Sequence, residues 1–404
     1  MVSNVKENTE CLACGSPNIH MVLNLGEQAL ANSFLDDPHE LEVKYPLAVN
    51  LCHGCFHLQL SHTVSPEIIY KNYLYATGTN QTIRDYCEWF ANWTREYFTG
   101  TGTVLDIGCN DGTQLDYLKR VGFDTYGIDP AQNLHERSSK NHNVVCDFFG
   151  PAAVPKLNMR DYDVIVAQNV CAHNPDPRGF LTSCAELMSD DTLLLVQTSQ
   201  ADMVLNNEFD TIYHEHVNFF NAFSMKQLAE RVGLNLIDVI KTPIHGTSYI
   251  FVLSKVAVQK YQVENIIAME RAHGLLSVDR YNVWADKVER NINHLNQVLD
   301  EMRDLGATLI GYGAAAKGNT LLNFGNIALD FIIDDNPLKQ GKYTPGMHIP
   351  VKSIDVLKEF DEHQQIAFIP LAWNFFDEIQ SRILSVRANE RDMFIRYFPE
   401  VKIQ

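Results

Sequence analysis

Read for its apolar and polar positions, the chain separates into stretches of different period. Seven short runs (residues 104–107, 125–128, 144–146, 163–167, 192–197, 234–239 and 248–254) are too apolar to keep one wet face. They predict buried strands. Between strands the period changes: Gln114, Leu115, Tyr117 and Leu118 fall at helical spacing. Alternating strand and helix is what a parallel sheet requires. Ahead of it, residues 82–97 predict a helix with Tyr86, Trp89, Phe90 and Trp93 on its buried face. Residues 256–305 read as helical throughout, with Ile292, Leu295, Leu299 and Met302 on one side and Gly306 as the stop. Apolar runs at 308–312, 331–333 and 366–369 then suggest a second, small and incomplete α/β unit.

Composition narrows the class. At 404 residues, two or three domains are expected, and 46% hydrophobic with 20% charged residues describes a folded chain. A formal charge of −18 argues against nucleic acid or an anionic membrane as the main partner, but leaves room for an anionic small substrate. No apolar run reaches the ~20 residues of a membrane span, and the polar start lacks a signal-peptide core. Nine unevenly placed cysteines do not make a secreted disulfide framework, so a cytoplasmic location is expected.

Four of those cysteines form two C-x-x-C knuckles, Cys11/Cys14 and Cys52/Cys55. Four thiolates on tight turns can converge tetrahedrally on zinc. The expected zinc is structural, holding a small β-rich lobe that could hardly fold alone, with His53 and His57 outside the ligand set.

Residues 104–112, Val-Leu-Asp-Ile-Gly-Cys-Asn-Asp-Gly, read as a strand, an acid and a glycine turn opening a helix. Such a turn exposes backbone N–H groups and admits a ligand close to the main chain. The second predicted strand ends at Asp129, where doubly wound sheets grip ribose hydroxyls. The pattern D-x-G-x-x-x-G is the form of the first motif of S-adenosylmethionine (SAM) methyltransferases, though a plain strand-turn-helix would also satisfy it. Asp147 and Phe148 follow the third strand and Asn169 and His173 the fourth, all on the ligand edge. Residues 311–316, Gly-Tyr-Gly-Ala-Ala-Ala, match the loose dinucleotide fingerprint G-x-G-x-x-A, with Asp334 and Asp335 downstream. NAD binding, a cradle for a nucleotide diphosphate using Lys317 and Asn319, and a purely structural turn all remain open there.

The densest titratable cluster is Tyr213-His214-Glu215-His216, in the loop after the fifth strand. Its i, i+2 histidines lack the H-E-x-x-H helical spacing of a zinc site, although chelation and a merely hydrogen-bonded loop stay open. The sharper reading is a general base with orienting partners.

The zinc knuckles, Tyr73-Leu74-Tyr75-Ala76-Thr77-Gly78-Thr79, the glycine turn, Tyr-His-Glu-His, His245-Gly246-Thr247-Ser248 and the 311–319 turn occur in one order. Together they resemble the three-domain, zinc-containing, SAM-dependent sugar C-methyltransferases. The resemblance implies an α/β chain with a central Rossmann-like methyltransferase domain, an N-terminal zinc lobe and a smaller C-terminal Rossmann-like domain. The expected divisions are 1–70, 71–255, a helical connector 256–305, and a nucleotide-sugar-binding unit 306–404. It also implies SAM and structural zinc as cofactors, and methylation of a carbon beside the ketone of a nucleotide-linked, dTDP for preference, deoxy-keto-sugar.

Carried over position by position, Asp106, Gly108, Asn110 and Gly112 would surround the methionine part of SAM. Asp129 would meet the ribose, with Asp147 and Phe148 near the adenine and Asn169 beside them. His216 or Tyr75 would remove the proton, His173 or Tyr213 would hold the enolate oxygen, and Glu215, His245, Lys317 and Asn319 would bind substrate. Where the family usually has Ser-Ser or Ser-Gly, this chain has Thr77-Gly78, and Gly246-Thr247-Ser248 replaces Gly-Gly-Ser, so the sugar could differ. Competing readings are O- or N-methylation, a non-catalytic zinc and nucleotide module, and an NAD-dependent oxidoreductase. A monomer or weak dimer is expected.

Overall fold

Strand β4 (Thr103–Ile107) has Val104, Leu105 and Ile107 all buried, as a strand covered on both faces must. The computed structural model describes residues 4–69, 78, 81–98, 102–157, 161–198, 202–242, 248–257 and 261–404. Beside β4 lie β5 (Asp124–Ile128), β6 (Asn143–Val145), β7 (Val164–Gln168), β8 (Leu193–Thr198), β10 (Asn235–Thr242) and β11 (Ser248–Ser254). The seven-stranded sheet runs β10-β11-β8-β7-β4-β5-β6, with β11 antiparallel to both neighbours. The other pairings are parallel. The chain winds outward from β4 to β6, then restarts at β7 on the other side of β4. That reversal opens a crevice at the carboxyl ends of β4 and β7, where open α/β sheets take ligands. Helix α1 (Gln81–Tyr97) and α2 (Thr113–Arg120) pack on this sheet.

The α1 face is rotated from the one expected. Ile83, Cys87, Phe90, Ala91 and Thr94 are buried, whereas Trp89 is 41% exposed. Trp89 instead stacks between Tyr86 and Trp93, at centroid distances of 5.4 and 6.1 Å, in an aromatic row along the helix. The connector also differs from one unbroken helix. It is α5 (Tyr261–Ala272) and α6 (Val278–Asp304), separated by a turn through Gly274 at φ 83°.

The N-terminal lobe pairs β1 (Ile19–Ala29), β2 (Lys44–Cys52) and β3 (Leu58–Leu60) antiparallel. Its fourth strand, β9 (Asn218–Phe219), comes from far along the chain, immediately after Tyr213-His214-Glu215-His216. The C-terminal unit is more complete than its apolar runs suggested. Strands β12 (Thr308–Tyr312), β13 (Phe331–Ile333), β14 (Val351–Lys352), β15 (Ile366–Pro370), β16 (Met393–Arg396) and β17 (Lys402–Ile403) run in the order β14-β13-β12-β15-β16-β17.

One apolar core joins the ends of the molecule. Leu23, Leu47 and Leu58 of the lobe share it with Phe209, Ile212 and Val217, with Trp284 and Leu295 of α6, and with Leu309 and Ile332 of the last sheet. The loop between β8 and β9 is therefore packing material as well as a connection. Among the described residues, no helix is long and apolar enough to cross a membrane.

Candidate active site

The glycine turn after β4 is built for close approach. Gly108 holds φ 76°, and a Cβ there would lie 2.5 Å from Val170 Cγ2, so no larger residue fits. Asn110 takes the left-handed region at φ 49°, and its N–H donates to Asp129 Oδ2 at 2.8 Å. The other Asp129 oxygen accepts from Ala131 N at 2.8 Å, which fixes the carboxylate at the end of β5 with lone pairs still available. Asp106, near the end of β4, is buried and has no cationic partner among the described residues. Burial, reinforced by Asp129, raises its carboxyl to about 8.

These residues line a cavity of about 540 Å³ at the carboxyl edge of the sheet. Asp106, Gly108, Asn110, Asp129, Phe148, Asn169 and His173 from the sequence reading all face it. Gly112 does not; it caps α2 at φ 82° with its Cα facing Ser138. Asp147 also lies outside the lining and pairs with Lys156 at 2.5 Å. The structure adds residues not singled out before, chiefly Gln168 and Gln114, with the Tyr86 hydroxyl roofing the space from α1.

Five lining residues carry a buried polar atom without a partner: Tyr86 Oη, Gln114 Oε1, Gln168 Nε2, Asn169 Oδ1 and His173 Nε2. Unmet polar atoms of this kind are costly unless a ligand or water fills them. Acids, unpaired amides and an exposed aromatic rim at Phe148 fit a molecule with a cationic end, a diol and a flat base, and SAM has that make-up. Asp106 and Asn169 would hold the amino-acid end, Asp129 the ribose and Phe148 the adenine.

Asp111, the second acid of the turn, does a different job. It accepts from Thr113 N and Oγ1 and from Gly78 N, and pairs with Arg137 at 2.8 Å. Any Cβ at Gly78 would fall 2.6 Å from Thr113 Oγ1. Gly78 is therefore seated directly on the glycine turn. Tyr75 and His245 lie outside the described residues.

Next to the cavity stands a second cluster. His216 Nδ1 faces the Thr211 carbonyl at 2.8 Å, and a carbonyl only accepts, so Nδ1 carries the hydrogen. In the neutral ring Nε2 then accepts from the Tyr213 hydroxyl, 2.6 Å away. The ring of His173 lies 4.8 Å from that of His216 and connects this cluster to the cavity. Desolvation lowers His173 to about 4, so it is neutral at pH 7. Glu215 is buried, which raises its carboxyl, and Asn32 of the lobe opposes that by donating to Oε1 at 2.9 Å. Glu215 Oε2 makes no hydrogen bond among the described residues. His214 points away, toward the Tyr45 carbonyl at 3.3 Å, so the two histidines do not converge on an ion.

Lys317 and Asn319 sit on the first turn of α7 (Ala316–Gly325), which meets the same loop where Thr320 Oγ1 donates to the Ile212 carbonyl at 3.0 Å. Lys317 Nζ and both Asn319 side-chain polar atoms are buried without partners. The ammonium lies 5.3 Å over the Trp373 ring, and Trp373 Nε1 donates to Asp210 Oδ2 at 2.9 Å. Beneath the fingerprint turn, the Ala314 N–H is taken by Asp334 Oδ2 at 2.7 Å.

The four knuckle cysteines place their sulfurs within 4.8 Å of one another, with Cys11–Cys55 and Cys14–Cys52 both at 3.6 Å. Zn–S bonds of about 2.3 Å in a tetrahedron need sulfurs about 3.8 Å apart, so the site fits zinc. Cys14 N and Gly54 N donate to Cys11 Sγ and Cys52 Sγ, as thiolate ligands favour. Among the described residues, no other group of three or more such side chains converges in this way.

Comparison with known proteins finds three families in succession along the chain. A zinc binding domain family matches residues 11–70, a methyltransferase domain family residues 80–239, and the C-methyltransferase C-terminal domain family residues 243–399. C-methyltransferase NovU of Streptomyces niveus is 28% identical over 389 residues, covering 93% of this chain and 92% of its own. A ubiquinone biosynthesis O-methyltransferase of Coxiella burnetii is 25% identical over 170 residues, 38% of this chain and 71% of that protein. Among solved structures, the 1,6-didemethyltoxoflavin-N1-methyltransferase of Burkholderia thailandensis aligns with 42% of this chain and 79% of its own, at 14% identity and a TM-score of 0.33. A sulfur-lined zinc site, a glycine-turn cavity suited to SAM, and three family matches in this order match the chain to the three-domain, zinc-containing, SAM-dependent C-methyltransferase family.

Proposed function

We propose that this methyltransferase adds a methyl group to a carbon beside the ketone of a nucleotide-linked deoxy-keto-sugar, dTDP-linked for preference. The observation that carries the reading is the Tyr213–His216 pair, whose 2.6 Å hydrogen bond joins a candidate proton acceptor to a hydroxyl next to the cofactor cavity. Methylating carbon requires a carbanion equivalent, and a ketone acidifies its neighbouring C–H enough for a histidine to act. SAM supplies the electrophilic methyl and keeps the C–S electron pair on sulfur.

The chain's residues do the rest. His216 Nε2 receives the proton, directly or through the Tyr213 hydroxyl hydrogen-bonded to it. The C–H electrons move into the ketone to give an enolate, whose carbon takes the methyl. His173, held neutral by burial, donates from Nε2 to the enolate oxygen in the tautomer that carries hydrogen there. Such a preorganised donor is worth about 3 kcal/mol. Glu215 Oε2 accepts a sugar hydroxyl while Asn32 steadies the other oxygen. Lys317 and Asn319, whose side-chain polar atoms make no hydrogen bond among the described residues, take the nucleotide diphosphate portion. Tyr75 remains the second candidate for the base.

The test is incubation of zinc-loaded enzyme with SAM and a panel of dTDP- and UDP-linked keto-deoxysugars. The expected product is one CH2 heavier, with the new methyl bonded to carbon in heteronuclear NMR. A methyl on oxygen or nitrogen, or no turnover across the panel, overturns the proposal.

A further inference from the structure

Asn218 occupies a position that the chemistry proposed above does not use. It is fully buried, two residues beyond His216, at the start of β9. Its Nδ2 donates to the Asn174 carbonyl at 2.7 Å and reaches the Ala172 carbonyl at 3.5 Å. Because carbonyls only accept, the amide nitrogen must lie on that side, and Oδ1 must face His57 Nε2 at 3.0 Å. His57 therefore carries its hydrogen on Nε2 and donates it to Asn218. Ala172 and Asn174 are the two chain neighbours of His173.

The backbone repeats the same three-way connection. Val217 N donates to the Ala172 carbonyl at 2.9 Å, and Val217 O accepts from Leu60 N at 2.9 Å. Asn218 itself pairs in register with Gln59. One side of this junction is the zinc lobe, since His57 lies two residues past Cys55 and its ring stacks on Phe220 at 4.6 Å. The other side is the turn that presents His173. The segment running through the junction presents His216.

We infer that Asn218 is a positioning residue that sets the 4.8 Å spacing of the His173 and His216 rings, and that the zinc lobe acts on the chemistry through the His57–Asn218 bond. The inference rests on the reading of those histidines as donor and base. Displacing a catalytic group by about 1 Å can cost on the order of 100-fold in rate, so a carboxamide that ties both turns together is well placed to matter. It touches neither cavity nor substrate, and acts only through its neighbours.

Two variants of the full-length, zinc-loaded enzyme test this. Asn218→Ala removes every side-chain bond at the junction. His57→Phe removes only the donor to Asn218 while keeping a ring to stack on Phe220. Both are expected to lower kcat, Asn218→Ala by roughly 10- to 100-fold, with SAM affinity and acceptor KM within about twofold of wild type. His57→Gln, which restores an N–H donor, is expected to recover most of the loss. Proton–nitrogen NMR of the histidine rings supplies a readout independent of turnover. The His173 and His216 signals shift in both variants, and those of exposed His39 and His363 do not. Wild-type kcat in both variants overturns the inference, as do unshifted His173 and His216 signals. If wild type methylates none of the keto-sugars, the proposed function falls, and the NMR arm still decides the role of Asn218.

Discussion

Asn32 Nδ2 donates to Glu215 Oε1 at 2.9 Å across 183 positions of sequence, so a residue of the zinc lobe steadies a carboxylate of the candidate active site. Burial raises the Glu215 carboxyl, and the Asn32 hydrogen bond favours its charged form. Asn32→Ala removes that support and leaves the Glu215 side chain more readily protonated. The acid limb of the pH–rate profile should move to higher pH, and kcat/KM near neutrality should fall by roughly tenfold, since a hydrogen bond to a charged group is worth about 1.5–3 kcal/mol. An unmoved acid limb would show that Glu215 takes no ionised part in the rate.

Zinc removal should separate cofactor binding from turnover. The four thiolates hold the knuckles that carry β3, and β3 pairs with β9 beside His216, whereas the cofactor cavity is made by the central sheet. Structural zinc contributes about 10–16 kcal/mol of apparent binding energy, so chelation should unfold the lobe. The expected result is loss of turnover with SAM still protecting the central domain in thermal melts. Equal loss of both would mean that the lobe supports the whole chain rather than one loop.

Much of this architecture could be read locally. The knuckles and the Gly108 turn are short-range requirements, one of ligand spacing and the other of backbone geometry, and both are visible within a few residues. The pairing of Asn218 and Phe219 with Leu58 and Gln59 is not, because a two-residue strand has no period and its partner lies about 160 positions away. Asp111 was hidden for a similar reason, since Arg137 and Gly78, which assign it to the turn's scaffold, are distant in sequence. The α1 face was misread because an aromatic row looks like a core stripe, while Trp89 stacks on its own helix neighbours and stays exposed. The two helices of the connector merged because Gly274 is a tolerable helix residue until its φ is known.

Asp106 should make stability and SAM binding pH-dependent. An unfolded aspartate titrates near 3.9, whereas burial raises Asp106 in the folded chain to about 8. Between those values the unfolded state binds fewer protons than the folded one, so stability of the ligand-free protein falls as pH rises from about 4 to 8. Glu270, raised to about 7 by burial, acts in the same direction, so Asp106→Asn should reduce the slope rather than abolish it. A cationic ligand beside Asp106 favours its ionised form. SAM should therefore bind more tightly as pH approaches 8 and release a proton on binding at pH 7. Calorimetry in buffers of different ionisation enthalpy reads that proton directly, and buffer-independent heats in the wild type would sink the assignment.

The sharpest separation of roles comes from the Tyr213–His216 pair. His216→Asn can keep the bond to the Thr211 carbonyl through its amide nitrogen, so the loop should hold its course, but no group remains at that point to accept a proton. General-base removal costs about 10²- to 10⁴-fold, and the loss should appear in kcat with SAM affinity unchanged. Tyr213→Phe removes the hydroxyl beside His216 Nε2 and keeps the aromatic ring. If the imidazole takes the proton directly, that variant should retain most of its activity; if the hydroxyl relays it, kcat should fall nearly as far as in His216→Asn. The two substitutions together should then lose no more than the worse single one, because residues that move one proton act as a unit. Near-wild-type turnover by His216→Asn would transfer the base role to Tyr75 and leave the Tyr213–His216 bond as scaffolding.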